Sequence, residues 1–168
     1  MKSLILNYYT VSLLVGGFTA LISGLVVFIH DTKKSENQAW FALTLCTAIW
    51  SFGYFSMTIA TTQKSGDVSD WILHYAAIFI PLFYYLLVLI ITNTFKKYRF
   101  IFYFFTFCAF VFTSINLSPY FLGSTVPKVG FNFAPVPGPA YIYFFVYFVV
   151  IVIAGILTSW NVSKFETD

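Results

Sequence analysis

The side chains that could carry acid–base or metal chemistry are few in this sequence of 168 residues. They are six acids, two histidines and two cysteines: Asp31, Glu36, Asp67, Asp70, Glu166, Asp168, His30, His74, Cys46 and Cys108. The acids are predicted to lie in loops or in the tail, and His30 is predicted to end the first helix. His74 is the only ionisable side chain expected inside an apolar segment, where such residues mark ion or ligand sites. It is a candidate for ligand binding or pH sensing; the alternative is an interfacial histidine satisfied by water or headgroups.

The spacing of these residues matches no motif for catalysis or metal binding. The sequence has no Gly-rich phosphate loop, no Cys/His set at metal-ligand spacing and no nucleophile elbow. A basic patch interleaved with aromatics, which would indicate nucleic-acid binding, is also missing. Cys46 and Cys108 are predicted to be small apolar packing residues. We therefore expect no enzyme activity within this chain, no metal, no cofactor and no nucleic-acid partner.

The composition points to a membrane protein. Hydrophobic residues make up 60% of the chain, aromatic residues 23% and charged residues only 9%. A water-soluble surface needs roughly a quarter of the residues to be charged. The lipid bilayer is therefore the expected surrounding.

Five uncharged segments are long enough to cross a bilayer, whose apolar core of about 30 Å takes about 20 helical residues. They are predicted as helices at about 4–29, 39–62, 71–95, 100–117 and 139–160, in one domain. Only helices satisfy their own backbone hydrogen bonds within one segment in lipid. The predicted fold is an all-α polytopic membrane bundle, with residues 118–138 as its longest loop. The first segment is read as a retained helix because it is too long for a signal peptide and lacks a cleavage site.

The basic residues predict the orientation of the chain. The side that receives the first and third loops and the tail has six of them: Lys33, Lys34, Lys96, Lys97, Arg99 and Lys164. The opposite side has three: Lys2, Lys64 and Lys128. The richer side is expected to be cytoplasmic. The N-terminus is then outside, the C-terminus inside, and the loop 118–138 extracellular.

Two features within the predicted helices concern packing. Gly16, Ala20 and Gly24 form a stripe of small residues that allows another helix to approach closely, either within the chain or across a dimer. Pro81 lies in the middle of the third segment and is expected to kink it or to open its hydrogen bonds locally. Four polar residues are predicted as alternative N-caps of the second and third helices: Ser35 or Asn37, and Ser69 or Asp70.

Three stretches of the sequence resemble one protein family, in the correct order. They are "GLVVFIHDTKKSENQAWFALTLCTAIWSFGYF" at 24–55, "YAAIFIPLFYYLLVLIIT" at 75–92 and "PVPGPAYIYFFVYF" at 135–148. The family is the N-terminal seven-helix membrane region of bacterial sensor histidine kinases. This resemblance implies a sensor in the bacterial cytoplasmic membrane that acts as a homodimer and whose phosphoacceptor histidine and ATP-binding lobe lie downstream. The chain has five of the seven helices, so we expect it to be truncated.

The expected function is a membrane-embedded sensory domain, which detects an unknown extracellular or membrane-borne stimulus and moves a cytoplasmic output domain by population shift. From depth and side, the candidate sensing residues are Trp50, Tyr54, His74, Pro81, Pro137, Gly138, Pro139, Tyr141 and Tyr143. One alternative is a stand-alone small membrane protein, either a structural subunit or a carrier. Another is the same sensor attached to a diguanylate cyclase.

Overall fold

A computed structural model describes residues 8–165 of the chain. The part of the first predicted helix before residue 8 lies outside the described residues. The described elements follow the order α1 Tyr8–His30, α2 Ser35–Ile59, α3 Gln63–Ile91, α4 Phe95–Ile115, β1 Leu122–Lys128, β2 Phe131–Pro137 and α5 Tyr141–Phe165. All five helices of this part of the chain are long and apolar enough to cross a membrane. This agrees with the five predicted spans of a multi-pass membrane protein.

Helix α3 begins eight residues earlier than predicted because Thr62 caps it. The Thr62 hydroxyl accepts a hydrogen bond from the Ser65 N–H at 3.2 Å, and the Thr62 N–H donates to Ser65 Oγ at 3.3 Å. This reciprocal pair satisfies N–H groups that the first turn would otherwise leave free. The prediction that Ser69 or Asp70 caps α3 was wrong, since both residues are buried inside the helix.

The two residues predicted to cap α2 do not do so. The N-cap position belongs to Lys34, which makes no capping side-chain hydrogen bond, and Ser35 is already helical. Asn37 instead donates from Nδ2 to the Asp31 carbonyl oxygen at 2.9 Å, which holds the preceding turn. Helix α4 likewise starts at Phe95 rather than near residue 100, so the basic residues predicted as a loop lie in its first two turns.

The predicted loop 118–138 contains a β-hairpin, which the all-α prediction missed. Strands β1 and β2 pair antiparallel, with Lys128 opposite Phe131 across a two-residue turn. Gly130 in that turn has φ of +85°, a conformation that glycine adopts without steric cost. Two prolines lie in β2, which a two-stranded sheet tolerates because each strand has an unpaired edge.

Helix α3 is the centre of the structure. It contacts α2, α4, α5 and both strands, whereas α1 packs chiefly on α2. The main buried cluster is formed by α3, α4, α5 and the two residues around the start of β1: Ala77, Ile78, Leu82, Tyr85, Leu89, Phe105, Ala109, Phe121, Leu122, Phe144, Tyr147 and Ile151. Many large apolar side chains of α1 and α4 are exposed, as expected for surfaces that face lipid.

The small residues of α1 serve the contact with α2. Gly17 and Gly24 are buried, and a Cβ at either position would collide with the Phe52 ring or the Thr44 side chain of α2. Of the predicted stripe, Gly16 and Ala20 are less buried. The two helices therefore meet most closely at Gly17 and Gly24, and Gly17 takes the place predicted for Gly16. The packing alternative for the stripe is therefore present within the chain.

Pro81 lies inside α3, which continues through it as one helix from Gln63 to Ile91. A proline has no N–H and leaves the carbonyl four residues earlier, here that of Ala77, without its helical partner. A donor from α5 lies close by, because the Tyr147 hydroxyl donates to the Ile78 carbonyl oxygen at 3.2 Å. The carbonyl next to the one that Pro81 frees thus receives a hydrogen bond from a neighbouring helix.

Candidate functional site at the hairpin end

Three polar side chains meet between α3 and α5, beneath the hairpin. His74 Nδ1 lies 2.9 Å from the backbone carbonyl oxygen of Asp70 and 2.9 Å from Asp70 Oδ1. Its other nitrogen, Nε2, lies 3.2 Å from the Tyr141 hydroxyl. Asp70 and His74 face the same way because residues four apart lie on one face of a helix, and Tyr141 is supplied by the first turn of α5.

This group is enclosed by aromatic rings. The His74 ring lies edge-on to those of Phe121, Tyr141 and Phe144, with centroids 6.1, 5.6 and 6.5 Å away. Asp70 and His74 are each only 1% exposed. The His74 ring is therefore satisfied by Asp70 and Tyr141 rather than by water or headgroups, and it lies three turns inside α3.

Asp70 is a buried acid within α3, and Asp67 of α3 and Glu36 of α2 are helical too, so the prediction that all acids lie in loops or the tail was wrong for these three residues. Neither of its carboxyl oxygens receives a hydrogen bond from the described residues, although Oδ1 lies close to His74. Asp67 lies in the same helix one turn earlier. A buried carboxylate without hydrogen bonds is costly unless an opposite charge is near, and intramembrane acids are usually functional.

The hairpin is fastened to the ends of α2 and α3 directly above this group. Asp67 Oδ1 accepts hydrogen bonds from the Thr125 N–H and hydroxyl, both at 2.8 Å. Asn132 Nδ2 donates to the Ala60 carbonyl oxygen at 3.1 Å. Gly66 of α3 has no room for a Cβ, since one would collide with side chains of the hairpin. Both strands are therefore held against the bundle.

Trp50 and Tyr54 lie in the half of α2 that ends near the hairpin. Their rings meet edge-on with centroids 5.1 Å apart, and the Tyr54 ring also meets that of Phe131 in β2 at 6.1 Å. Trp50 and Tyr141 both pack against the buried cluster that contains Phe121 and Phe144. Trp50 therefore lies against the cluster that also contacts Tyr141, and Tyr54 connects α2 to the hairpin.

The remaining predicted residues are divided between the corner and the surface. Gly138 is pressed against the backbone of Tyr120, leaving no space for a Cβ, and its N–H donates to the Phe121 carbonyl oxygen at 2.9 Å. Pro137 and Pro139 flank it and are exposed. Tyr143 is 68% exposed and lies away from the buried group. Pro81 lies about two turns further along α3.

Sequence reasoning missed Asp70, Asp67, Phe121 and Phe144 as site residues. The spacing of Asp70 and His74, four residues apart, was a signal for a shared helix face. It was overlooked because the polar run before Trp71 resembled a helix start. Phe121 and Phe144 carried no comparable signal, since they come from separate segments that only the fold brings together.

The described residues contain no group of three or more His, Cys, Asp and Glu side chains that could hold a metal ion. Cys46 and Cys108 are free and partly buried, as packing residues would be. The arrangement can bind, hold or release a proton and can connect the movements of α3, α5 and the hairpin.

Comparison of the chain with the models of known protein families, with curated proteins and with solved structures finds no match. The resemblance to the membrane region of sensor histidine kinases therefore stays a hypothesis that depends on the three sequence stretches alone.

Proposed function

We propose that this chain is the membrane-embedded sensory domain of a bacterial signal-transduction protein, most closely of the sensor histidine kinase type. In this proposal it resides in the cytoplasmic membrane with the hairpin outside and the C-terminal end of α5 inside. A stimulus at the hairpin end changes how α5 sits against α3, and α5 passes the displacement to an output domain.

One observation carries the proposal: the hairpin is bonded to the start of α3 directly above a buried polar contact between α3 and α5. Asp67 holds the hairpin to α3 at 2.8 Å, and His74, two turns later, meets Tyr141 of α5 at 3.2 Å. Two helices joined by a buried polar contact have few stable relative positions, because any position that leaves a buried polar group without a partner is costly. Such contacts suit a switch with two states.

The experiment uses the parent protein with a readout of its output activity. Tyr141→Phe removes the hydroxyl that meets His74, whereas Tyr143→Phe, two residues along the same helix, removes an exposed hydroxyl and is the matched control. We expect Tyr141→Phe to change the output by several-fold at an unchanged membrane level, with Tyr143→Phe close to the parent. An unchanged response in Tyr141→Phe would count against the sensory role.

The alternative function is a structural subunit or carrier that is complete as a five-helix membrane protein. The coding sequence after Asp168 separates the two. A continuation into two further apolar spans and a kinase or cyclase domain supports the sensor, and that domain also decides between kinase and cyclase. A stop codon at this point favours the structural subunit or carrier.

A further inference from the structure

We infer that Asp70 and His74 form a proton-binding site, and that the bound proton holds α5 against α3. Six polar atoms carry this inference: the two ring nitrogens of His74, the two carboxyl oxygens and the carbonyl oxygen of Asp70, and the Tyr141 hydroxyl oxygen. The sensory role alone does not require a proton among them. The site itself does not depend on that role; its consequence for signalling, that the stimulus is a proton, rests on the proposed function.

The hydrogen on Nδ1 is assigned by its partner. Nδ1 lies 2.9 Å from the Asp70 backbone carbonyl oxygen, in hydrogen-bond geometry. A carbonyl oxygen can only accept, so Nδ1 carries a hydrogen. Asp70 Oδ1 is equally near the ring nitrogen but receives no hydrogen bond.

Besides the hydrogen on Nδ1, the pair can bind one more proton. It has two places to bind, on the Asp70 carboxyl or on His74 Nε2. A protonated Asp70 would need an acceptor for its O–H, and the described residues offer its carboxyl oxygens no hydrogen bond. A proton on Nε2 has an acceptor, because the Tyr141 hydroxyl oxygen lies 3.2 Å away. The imidazolium is then bonded on both sides and lies beside the carboxylate, and the pair is neutral as a whole.

No other described cation faces Asp70 from the elements around it. The neighbouring titratable groups are the hydroxyls of Tyr54 on α2 and Tyr141 on α5, neither of which supplies a positive charge. On α3 itself, Lys64 is exposed and Asp67 is bonded to the hairpin. The hairpin's Lys128 is exposed and donates to the Pro135 carbonyl oxygen. The basic residues of α4 lie in its first two turns, at the opposite end of the bundle: Lys96, Lys97 and Arg99.

Loss of the proton has a structural consequence. It leaves a single negative charge on Asp70, 1% exposed and beside the rings around His74, where a lone charge is strongly disfavoured. It also reverses the bond to Tyr141, because Nε2 changes from donor to acceptor. Opening of the contact between α3 and α5 would expose Asp70 to water. The closed arrangement is therefore favoured when the proton is bound and weakens as the pH rises.

Nuclear magnetic resonance of the whole chain, labelled with ¹⁵N at the histidine rings and placed in phospholipid nanodiscs, tests the site at about pH 7. His30→Gln removes the only other histidine signal. We expect His74 to show the charged ring, with two protonated nitrogens, and to become neutral in Asp70→Asn. Asp70→Glu keeps the charge and is expected to retain the charged ring. A neutral His74 in the parent chain overturns the inference, as does a charged ring in folded Asp70→Asn.

If Asp70→Asn does not fold, the parent spectrum and Asp70→Glu still decide the question. The movement is tested by spin labels at the exposed positions Ile72 of α3 and Ile142 of α5, after replacement of Cys46 and Cys108 by serine. Raising the pH until the His74 signal becomes neutral is expected to lengthen the label distance, and to leave it unchanged in His74→Gln. An unchanged distance in the parent chain overturns the link between proton and movement. Neither measurement uses a signalling output, so their failure is distinct from failure of the sensory role.

Discussion

Thr125 of the hairpin and Asp67 of α3 are joined by two hydrogen bonds, from the Thr125 N–H and from its hydroxyl to the same carboxyl oxygen, both at 2.8 Å. Thr125 is 2% exposed, although it belongs to a short two-stranded sheet. A two-stranded hairpin is only marginally stable by itself. The pair therefore gives the hairpin a fixed place on the bundle.

Removal of this carboxylate is expected to loosen the hairpin. Asp67→Ala deletes both hydrogen bonds, and bonds to a charged group contribute about 1.5–3 kcal/mol each at most. We expect faster amide hydrogen exchange throughout β1 and β2, with α4 unaffected. Asp31→Ala is the matched control, because Asp31 also accepts a backbone N–H, that of Lys33 at 3.0 Å, but in an exposed turn away from the hairpin. Equal exchange in the two variants would contradict the role of the pair.

The contact between α1 and α2 predicts different effects for two glycines of α1. A Cβ at Gly24 collides with the Thr44 side chain, whereas a Cβ at Gly16 meets Ser51 Oγ at an ordinary 3.4 Å. Overfilling a packed contact costs about 1–3 kcal/mol. We expect Gly24→Ala to lower the free energy of unfolding in detergent by about that amount and Gly16→Ala to change it little.

A second substitution checks the cause of the Gly24 effect. Thr44→Ala removes the hydroxyl that the new methyl group meets first, so it is expected to restore part of the stability in the Gly24→Ala background. If Gly24→Ala instead changed only the association of two chains and left unfolding unaltered, the dimer alternative for this stripe would be favoured.

The hydroxyl of Tyr147 is expected to stabilise α3 near Pro81. Tyr147→Phe removes the donor to the Ile78 carbonyl oxygen, and hydrogen bonds between membrane helices contribute about 0.6 kcal/mol on average and up to about 1.7. Thermal unfolding in nanodiscs should show a loss in this range. Tyr143→Phe on the same helix is the control, because that side chain is 68% exposed. The same loss of thermal stability in both variants would contradict the role assigned to the Tyr147 hydroxyl.

The proposed orientation is tested by a cysteine at the tip of the hairpin. Val129 is 96% exposed, so Val129→Cys, in a chain with Cys46 and Cys108 replaced by serine, should react with a membrane-impermeant maleimide on intact cells. Lys33→Cys, in the turn between α1 and α2, should react only after the membrane is opened. The reverse pattern would place the hairpin in the cytoplasm and would overturn the orientation predicted from the basic residues.

Several elements were predictable from local properties of the sequence. The five helices follow from apolar length, and the small residues of α1 indicated a close helix contact, although Gly17 was missed. Helix starts were less accurate, since Thr62 and Ser65 form the cap of α3 while Ser69 and Asp70 only resembled one. The hairpin was missed because its strands contain three prolines among them, a composition typical of loops.

The sequence by itself determined that this protein is a bundle of apolar helices suited to a membrane, because hydropathy and segment length act along the chain and need no partner. Only the tertiary structure decided that Asp70 and His74 are buried and that Tyr141 completes their contact. The reason is that burial and pairing depend on residues 67 positions apart, here His74 and Tyr141. The same holds for Asp67 and Thr125, 58 positions apart, whose pairing places the hairpin over the buried group.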